Sequence, residues 1–209
     1  MADAQKTDTQ TTGTQKTDAP KRDTKARDES QPYLNIDGPA SYARAPINSP
    51  MIWNFCEAVQ DGNPVYWDEE YAKQSRFGRL IAPPQMIMTM SGGHWWAPEY
   101  VRERERNESS ADTVTGNPAE IHEIVRRHGY TVATNVTRED EFLEPYGPGD
   151  GRLKMSSRSI DVSEEKQTRL GKGVFITSVI EYRTEKDDRL VVRATNVLLM
   201  YNPAEPRGD

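Results

Sequence analysis

The sequence predicts an α+β fold, a single antiparallel sheet curled around a central helix. Two observations carry this. Residues 85–96 hold Met86, Ile87, Met88, Met90, Trp95 and Trp96, apolar on all sides, as in a buried helix. From residue 130 the chain turns into apolar-rich strands in succession with short turns between them, an antiparallel meander. A buried helix followed by a meander leaves the sheet to wrap the helix. Length agrees: 209 residues, less a polar N-terminal stretch, leave enough chain for one domain with a real core.

Residues 1–32 are Thr, Gln, Lys, Asp and Ala with almost no large apolar side chain, and Gln-Lys-Thr-Asp occurs at Gln5–Asp8 and again at Gln15–Asp18. Such a stretch buries too little surface to offset its ordering entropy and is expected to be a disordered tail. The folded domain is placed at residues 33–203, with a short tail at 204–209. Ser49-Pro50 is expected to open a helix, Ser as N-cap and Pro at the first position. Ile52, Phe55, Cys56 and Val59 follow at helical spacing. Asp68, Glu69 and Glu70 then open a short helix to Gln74, acids at its positive end. Residues 99–117 are charged and expected as a loop, and residues 117–128 as a short helix capped by Gly129. Strands are expected at residues 130–143, 153–163, 173–185 and 190–201.

Composition narrows the function classes. The net charge of −6 gives no nucleic-acid or anionic-membrane surface. No apolar run reaches the roughly 18 residues of a membrane helix, and the polar N-terminus does not read as a secretory signal. Cys56 is the single cysteine, so no intrachain disulfide can form and a reducing, cytoplasmic setting is expected. Its apolar neighbours Ile52, Trp53, Phe55 and Val59 point to packing. No Cys, His and carboxylate spacing suggests a metal site. His94, His122 and His128 are expected to be packed or structural, and Ser91-Gly92-Gly93-His94 lacks the frame of a nucleophile elbow.

The chemistry concentrates between Asp61 and Met90. Asp61-Gly62-Asn63-Pro64 has the residues a tight turn prefers, and turn formation is the plain reading. A part in a ligand site is the sharper one. Met86, Met88 and Met90 read first as core filler; the alternative is a wide pocket for a bulky acyl group, lined by flexible thioethers.

These residues resemble the MaoC-like (R)-hydratase/dehydratase superfamily, whose fold is the hot dog. The match is carried by Gly62-Asn63-Pro64-Val65-Tyr66, Asp68-Glu69-Glu70-Tyr71-Ala72, Ile81-Ala82-Pro83-Pro84 and Pro148-Gly149-Asp150. Lys166-Gln167-Thr168 and Gly171-Lys172-Gly173-Val174-Phe175-Ile176-Thr177 complete it. The resemblance is nearest to the N-terminal-type domains similar to the fatty-acid-synthase dehydratase. Among them are the non-catalytic subunits of two-chain enoyl-thioester hydratases acting on steroid side chains.

The resemblance implies an Asp-x-Asn-x-x-His motif that holds and activates water, and a backbone N–H at the start of the central helix that holds the thioester oxygen. Asp61 and Asn63 keep two motif positions, but Tyr66 stands at that of the His. A phenol, with a pKa of about 10, is a poor base at neutral pH. Active members carry Ala-His-Gly where this chain has Ala82-Pro83-Pro84, and proline has no N–H to donate. No catalytic residue is therefore expected here, Asp61, Asn63 and Tyr66 being degenerate positions. Asp61, Tyr66, Pro83, Pro84, Met86 and Met90 are the candidate substrate contacts. The implied role is a non-catalytic subunit that shapes the acyl pocket for a catalytic MaoC-like partner, with an acyl-CoA or acyl-carrier-protein substrate, bulky and steroid-like, and no cofactor. The alternatives are a divergent stand-alone hydratase or thioesterase using Asp61, and a thioester-binding scaffold without a reaction.

Overall fold

The structure is a computed structural model and describes residues 23–91, 96–109 and 118–203. Its centre is an antiparallel sheet of β1 (Ser41–Tyr42), β2 (Val132–Phe142), β3 (Leu153–Val162), β4 (Lys166–Gln167), β5 (Gly171–Thr184) and β6 (Leu190–Pro203). The strand order is β1-β3-β5-β6-β2, with β4 paired to β5 beside that path. The four main strands sit within a few residues of the expected ones, because side chains alternate between faces along each strand. On β5, Val174, Ile176 and Tyr182 are buried on the helix side and Ile180 packs beside them. The sheet curls around the helices packed on this side, in the hot-dog arrangement.

Two apolar clusters share that side. The first holds Ile52 and Cys56 of α2 (Ser49–Val59), Ala72 of α3 (Glu69–Gln74), and Ile87 and Met90 of α4 (Ile87–Ser91). These pack on Leu153, Tyr182, Val192 and Ala194 of the sheet. The second lies at the other end, where Ile121 and Val125 of α6 (Pro118–Arg127) meet Val162, Val174, Ile176 and Met200. At Gly173 an added Cβ would stand 2.5 Å from the Met200 carbonyl oxygen, so the β5–β6 approach requires glycine there.

Several expectations change. Residues 23–32 fall within the expected polar tail, yet α1 (Lys25–Ser30) and a 3-10 turn at Gln31–Tyr33 lie there, with Ala26 and Ser30 buried. Small side chains let α1 approach α6 closely, and Glu29 reaches across to Arg127 and His128. The rest of the tail, residues 1–22, and residues 204–209 lie outside the described residues. Helix α2 is capped by Asn48 rather than Ser49: its Oδ1 accepts from Met51 N at 3.0 Å, and Pro50 sits in the first turn. The expected loop at 99–117 contains α5 (Glu99–Ser109), which begins with an Arg102–Glu99 ion pair one turn apart. The helix expected over 85–96 is not apolar-buried all round. It starts as a 3-10 turn, Pro84–Met86, and continues as α4; Met86, Ile87 and Met90 are buried while Met88 and Trp96 are exposed. His94 and Trp95 lie outside the described residues.

Candidate active site

The turn after α2 is built by its own short polar side chains. Gln60 ends the helix in the left-handed conformation at φ 57°. Asp61 Oδ1 then accepts from Asn63 N at 3.0 Å, and Asn63 Oδ1 from Val65 N at 3.3 Å. A 3-10 turn, Pro64–Tyr66, follows. Trp67 Nε1 donates to the Asp61 carbonyl at 2.8 Å, and Asp68 caps α3 through Glu70 N and Tyr71 N. These bonds carry the plain reading of the segment: each polar side chain satisfies a backbone donor two or three residues on.

Tyr66 is turned inward and buried. Burial, then the Asp61 carboxylate, push its phenol above the ordinary value of 10, so the group stays protonated at neutral pH. It lines a hollow of about 340 Å³ with Asn63, Phe77, Pro84, Phe142 and Tyr146. Asp61 opens into a different hollow, of about 450 Å³, beside Phe55, Val59 and Gln85. The two motif positions are thus brought close but face separate spaces. Met86 and Met90 are buried in the first apolar cluster and line neither hollow.

Pro83 and Pro84 approach the central helix with no N–H of their own. Their carbonyls both face the buried Tyr146 hydroxyl, which donates at 3.0 Å to Pro83 O and lies 3.3 Å from Pro84 O. Ala82 N donates to the Tyr146 carbonyl at 2.7 Å. Burial pushes the Tyr146 phenol well above its ordinary range, keeping it a donor.

Tyr146 is held in turn by the Gly147–Asp150 turn. Asp150 is buried and takes Arg79 in a fork, 2.8 Å and 2.6 Å. Arg189 lies 3.2 Å from the same carboxylate, and Gly147 N donates to it at 2.9 Å. A Cβ on Gly147 would stand 2.6 Å from the Leu80 carbonyl oxygen, so only glycine lets the turn lie against the helix approach. Sequence reasoning missed Tyr146 and Arg79. The Pro148-Gly149-Asp150 motif was a signal that the turn mattered, but nothing local marks a partner 71 residues away.

The two described histidines lie at the α6 end of the sheet. His128 Nε2 lies 2.7 Å from Glu29 Oε2 and ties α1 to α6. His122 sits on α6, and burial, then Arg126, lower its pKa. Among the described residues no group of three or more His, Cys, Asp and Glu side chains is placed to hold a metal ion. Also among them, no helix is long and apolar enough to cross a membrane.

A family model described as the FAS1-like dehydratase domain region matches residues 39–193. The chain is 32% identical over 155 residues to a probable enoyl-CoA hydratase alpha subunit of Thermomonospora curvata, covering 73% of this chain and 44% of that protein. It is 32% identical over 164 residues to the 3-oxo-4,17-pregnadiene-20-carboxyl-CoA hydratase alpha subunit of Mycobacterium tuberculosis, covering 78% of this chain and 47% of that protein. The chain therefore spans less than half the length of these curated relatives. A chain of the ChsH1-ChsH2 complex from Mycobacterium tuberculosis superposes with a TM-score of 0.66 at 25% identity, over 87% of this chain and 92% of that one.

Proposed function

The chain belongs to the FAS1-like dehydratase-region family, and from that premise we propose that it is the non-catalytic subunit of a heteromeric enoyl-thioester hydratase. One observation carries the reading. The place where the resemblance calls for a base and an oxyanion donor holds a buried phenol with a raised pKa and two prolines without N–H. Loss of an oxyanion donor alone costs about a hundred- to a thousand-fold in rate. The chain instead supplies walls: Phe77, Phe142 and Tyr146 bound the 340 Å³ hollow that would receive the acyl thioester. The catalytic Asp and His come from a MaoC-like partner chain, and no cofactor is assigned.

The partner's docking surface is the outer edge of β2, the longer of the two end strands of the sheet among the described residues. Val132, Val136, Phe142 and, just beyond the strand, Leu143 are exposed there. An uncovered strand edge is a template for pairing. The alpha-subunit names of the two curated relatives support a heteromer, and the Mycobacterium tuberculosis relative's name supports a bulky, polycyclic acyl-CoA.

The test is a hydration assay with an enoyl-CoA. The isolated chain is expected to be inert, and activity to return when the MaoC-like chain that co-purifies with it from its native cell is added. Robust turnover by the isolated chain overturns the proposal. If Asp61→Asn then abolished that turnover, the stand-alone reading centred on Asp61 would replace it.

A further inference from the structure

One row of side chains on the helix side of the sheet breaks the apolar pattern. The strand register places Ser159 opposite Ser178, Ser178 opposite Asn196, and Asn196 opposite Arg138. Four strands thus present a straight polar row. Toward one end of the sheet the next residues on this face are Val162, Ile176 and Leu198, packed under α6. Toward the other, Ile180 and Ala194 join the cluster under α2 and α4. The row runs between the two apolar clusters.

A polar row in such a place needs a physical reason, because burying hydroxyls and amides costs free energy unless they are bonded. Arg138, at the row's end, is engaged: its Nε donates to Asp140 Oδ2 and its Nη2 to the Tyr182 hydroxyl, both at 3.2 Å. Bonds among the serines and Asn196 are few and long. Ser159 Oγ and Ser178 Oγ lie 3.2 Å apart, and Asn196 Nδ2 donates to Asn135 Oδ1 at 3.4 Å. A hydroxyl and an amide each have capacity for more than this. Ser178 and Asn196 are only half-buried, so this part of the row is partly open to solvent. Asp140 borders the row, and its Oδ1 is buried without a hydrogen-bond partner, although Arg138 Nη2 lies 2.8 Å away out of line.

The row also lies at a definite distance from the candidate site. Val192 lines the 340 Å³ hollow, and Asn196 is four residues further along β6 on the same face. At about 3.3 Å per residue that is about 13 Å. We infer that the row of Ser178, Asn196 and Arg138 is a specificity subsite for an oxygen, keto or hydroxyl, at the end of an elongated acyl group remote from its thioester. A keto oxygen accepts from Asn196 or Ser178, and a hydroxyl can also donate to Asp140. This rests on the acyl-thioester reading above and adds which end of the ligand the chain reads.

The probes are a CoA thioester of a four-ring carboxylic acid bearing a 3-oxo group, its 3-deoxy counterpart, and octanoyl-CoA, which is too short to reach the row. Each is titrated calorimetrically into the full chain, in the assembly in which it is isolated from its native cell. The wild-type chain is expected to hold the 3-oxo probe about tenfold more tightly than the 3-deoxy probe, one good hydrogen bond's worth. Asn196→Leu and Ser178→Ala should erase that preference by weakening the 3-oxo probe alone, with octanoyl-CoA unchanged. Equal binding of the two four-ring probes by the wild type, or equal weakening of both by the variants, overturns the subsite and leaves the thioester reading standing. Failure of all three thioesters to bind overturns the thioester reading and the subsite with it.

Discussion

The two ends of the sheet are covered in different ways. At the α6 end, one regular amphipathic helix lays Ile121, Ile124 and Val125 inward, all buried. The adjoining α1 is held through Ala26, Ser30 and the exposed cluster of Glu29, Arg127 and His128. At the site end the cover includes two prolines, a 3-10 turn and a five-residue helix, α4. There Tyr146 bonds the proline carbonyls, and Asp150 collects Arg79, Arg189 and Gly147 N. Periodic packing holds the α6 end, while at the site end a few directional bonds from far along the chain are added to the apolar cluster of α2, α3 and α4. Directional bonds can fix loops and prolines in one geometry, which a pocket requires and an apolar stripe cannot specify.

This contrast can be broken by mutation. Asp150→Ala should have the largest effect, about 3 kcal/mol in chemical denaturation, at the low end for a severed buried pair because Arg79 keeps contact with water. A loss under about 1 kcal/mol would show that the turn is held by packing instead. Tyr146→Phe should cost about 1.5 kcal/mol, since a buried donor is removed from two carbonyls. At the other end Ile121→Val should cost about 1 kcal/mol, the usual loss for one buried methyl group. If it cost more than Asp150→Ala, the assignment of the two ends would be reversed. Glu29→Ala should leave the global Tm unchanged but lower amide protection in α1. Acid should do the same: the hydrogen bond to His128, then that to Arg127, hold Glu29 below its ordinary 4.5. Its contribution is full above that value and lost as pH falls through the depressed one. Protection factors over residues 25–30 measured at pH 7 and pH 3 check the sign.

Much of the fold was legible because its signals are local. Strands β2, β3, β5 and β6 declared themselves by alternation and by the turn residues between them. Helix α5 was hidden because its charge-dense sequence has no apolar stripe. Helix α1 was hidden because the residues it buries are only alanine and serine. At the site, the turn chemistry of Asp61 and Asn63 and the missing N–H of Pro83 and Pro84 could be read directly from residue type. The separation of Asp61 and Tyr66 into two hollows could not, since it depends on which way a 3-10 turn rotates Tyr66. Nor could the polar row, whose members lie on four strands and meet only through register.

Cys56, the chain's single thiol, lies fully enclosed in the apolar cluster of the site end. Burial, then the Asp61 carboxylate, raise its pKa, so it reacts slowly while the fold is closed. A thiol reagent therefore modifies it only when that end opens, and the rate of modification times the opening. The α6 cluster has no such reporter. The molecule thus carries a native clock for one end alone, and a thioester ligand that seals the hollow should slow it without any label being introduced.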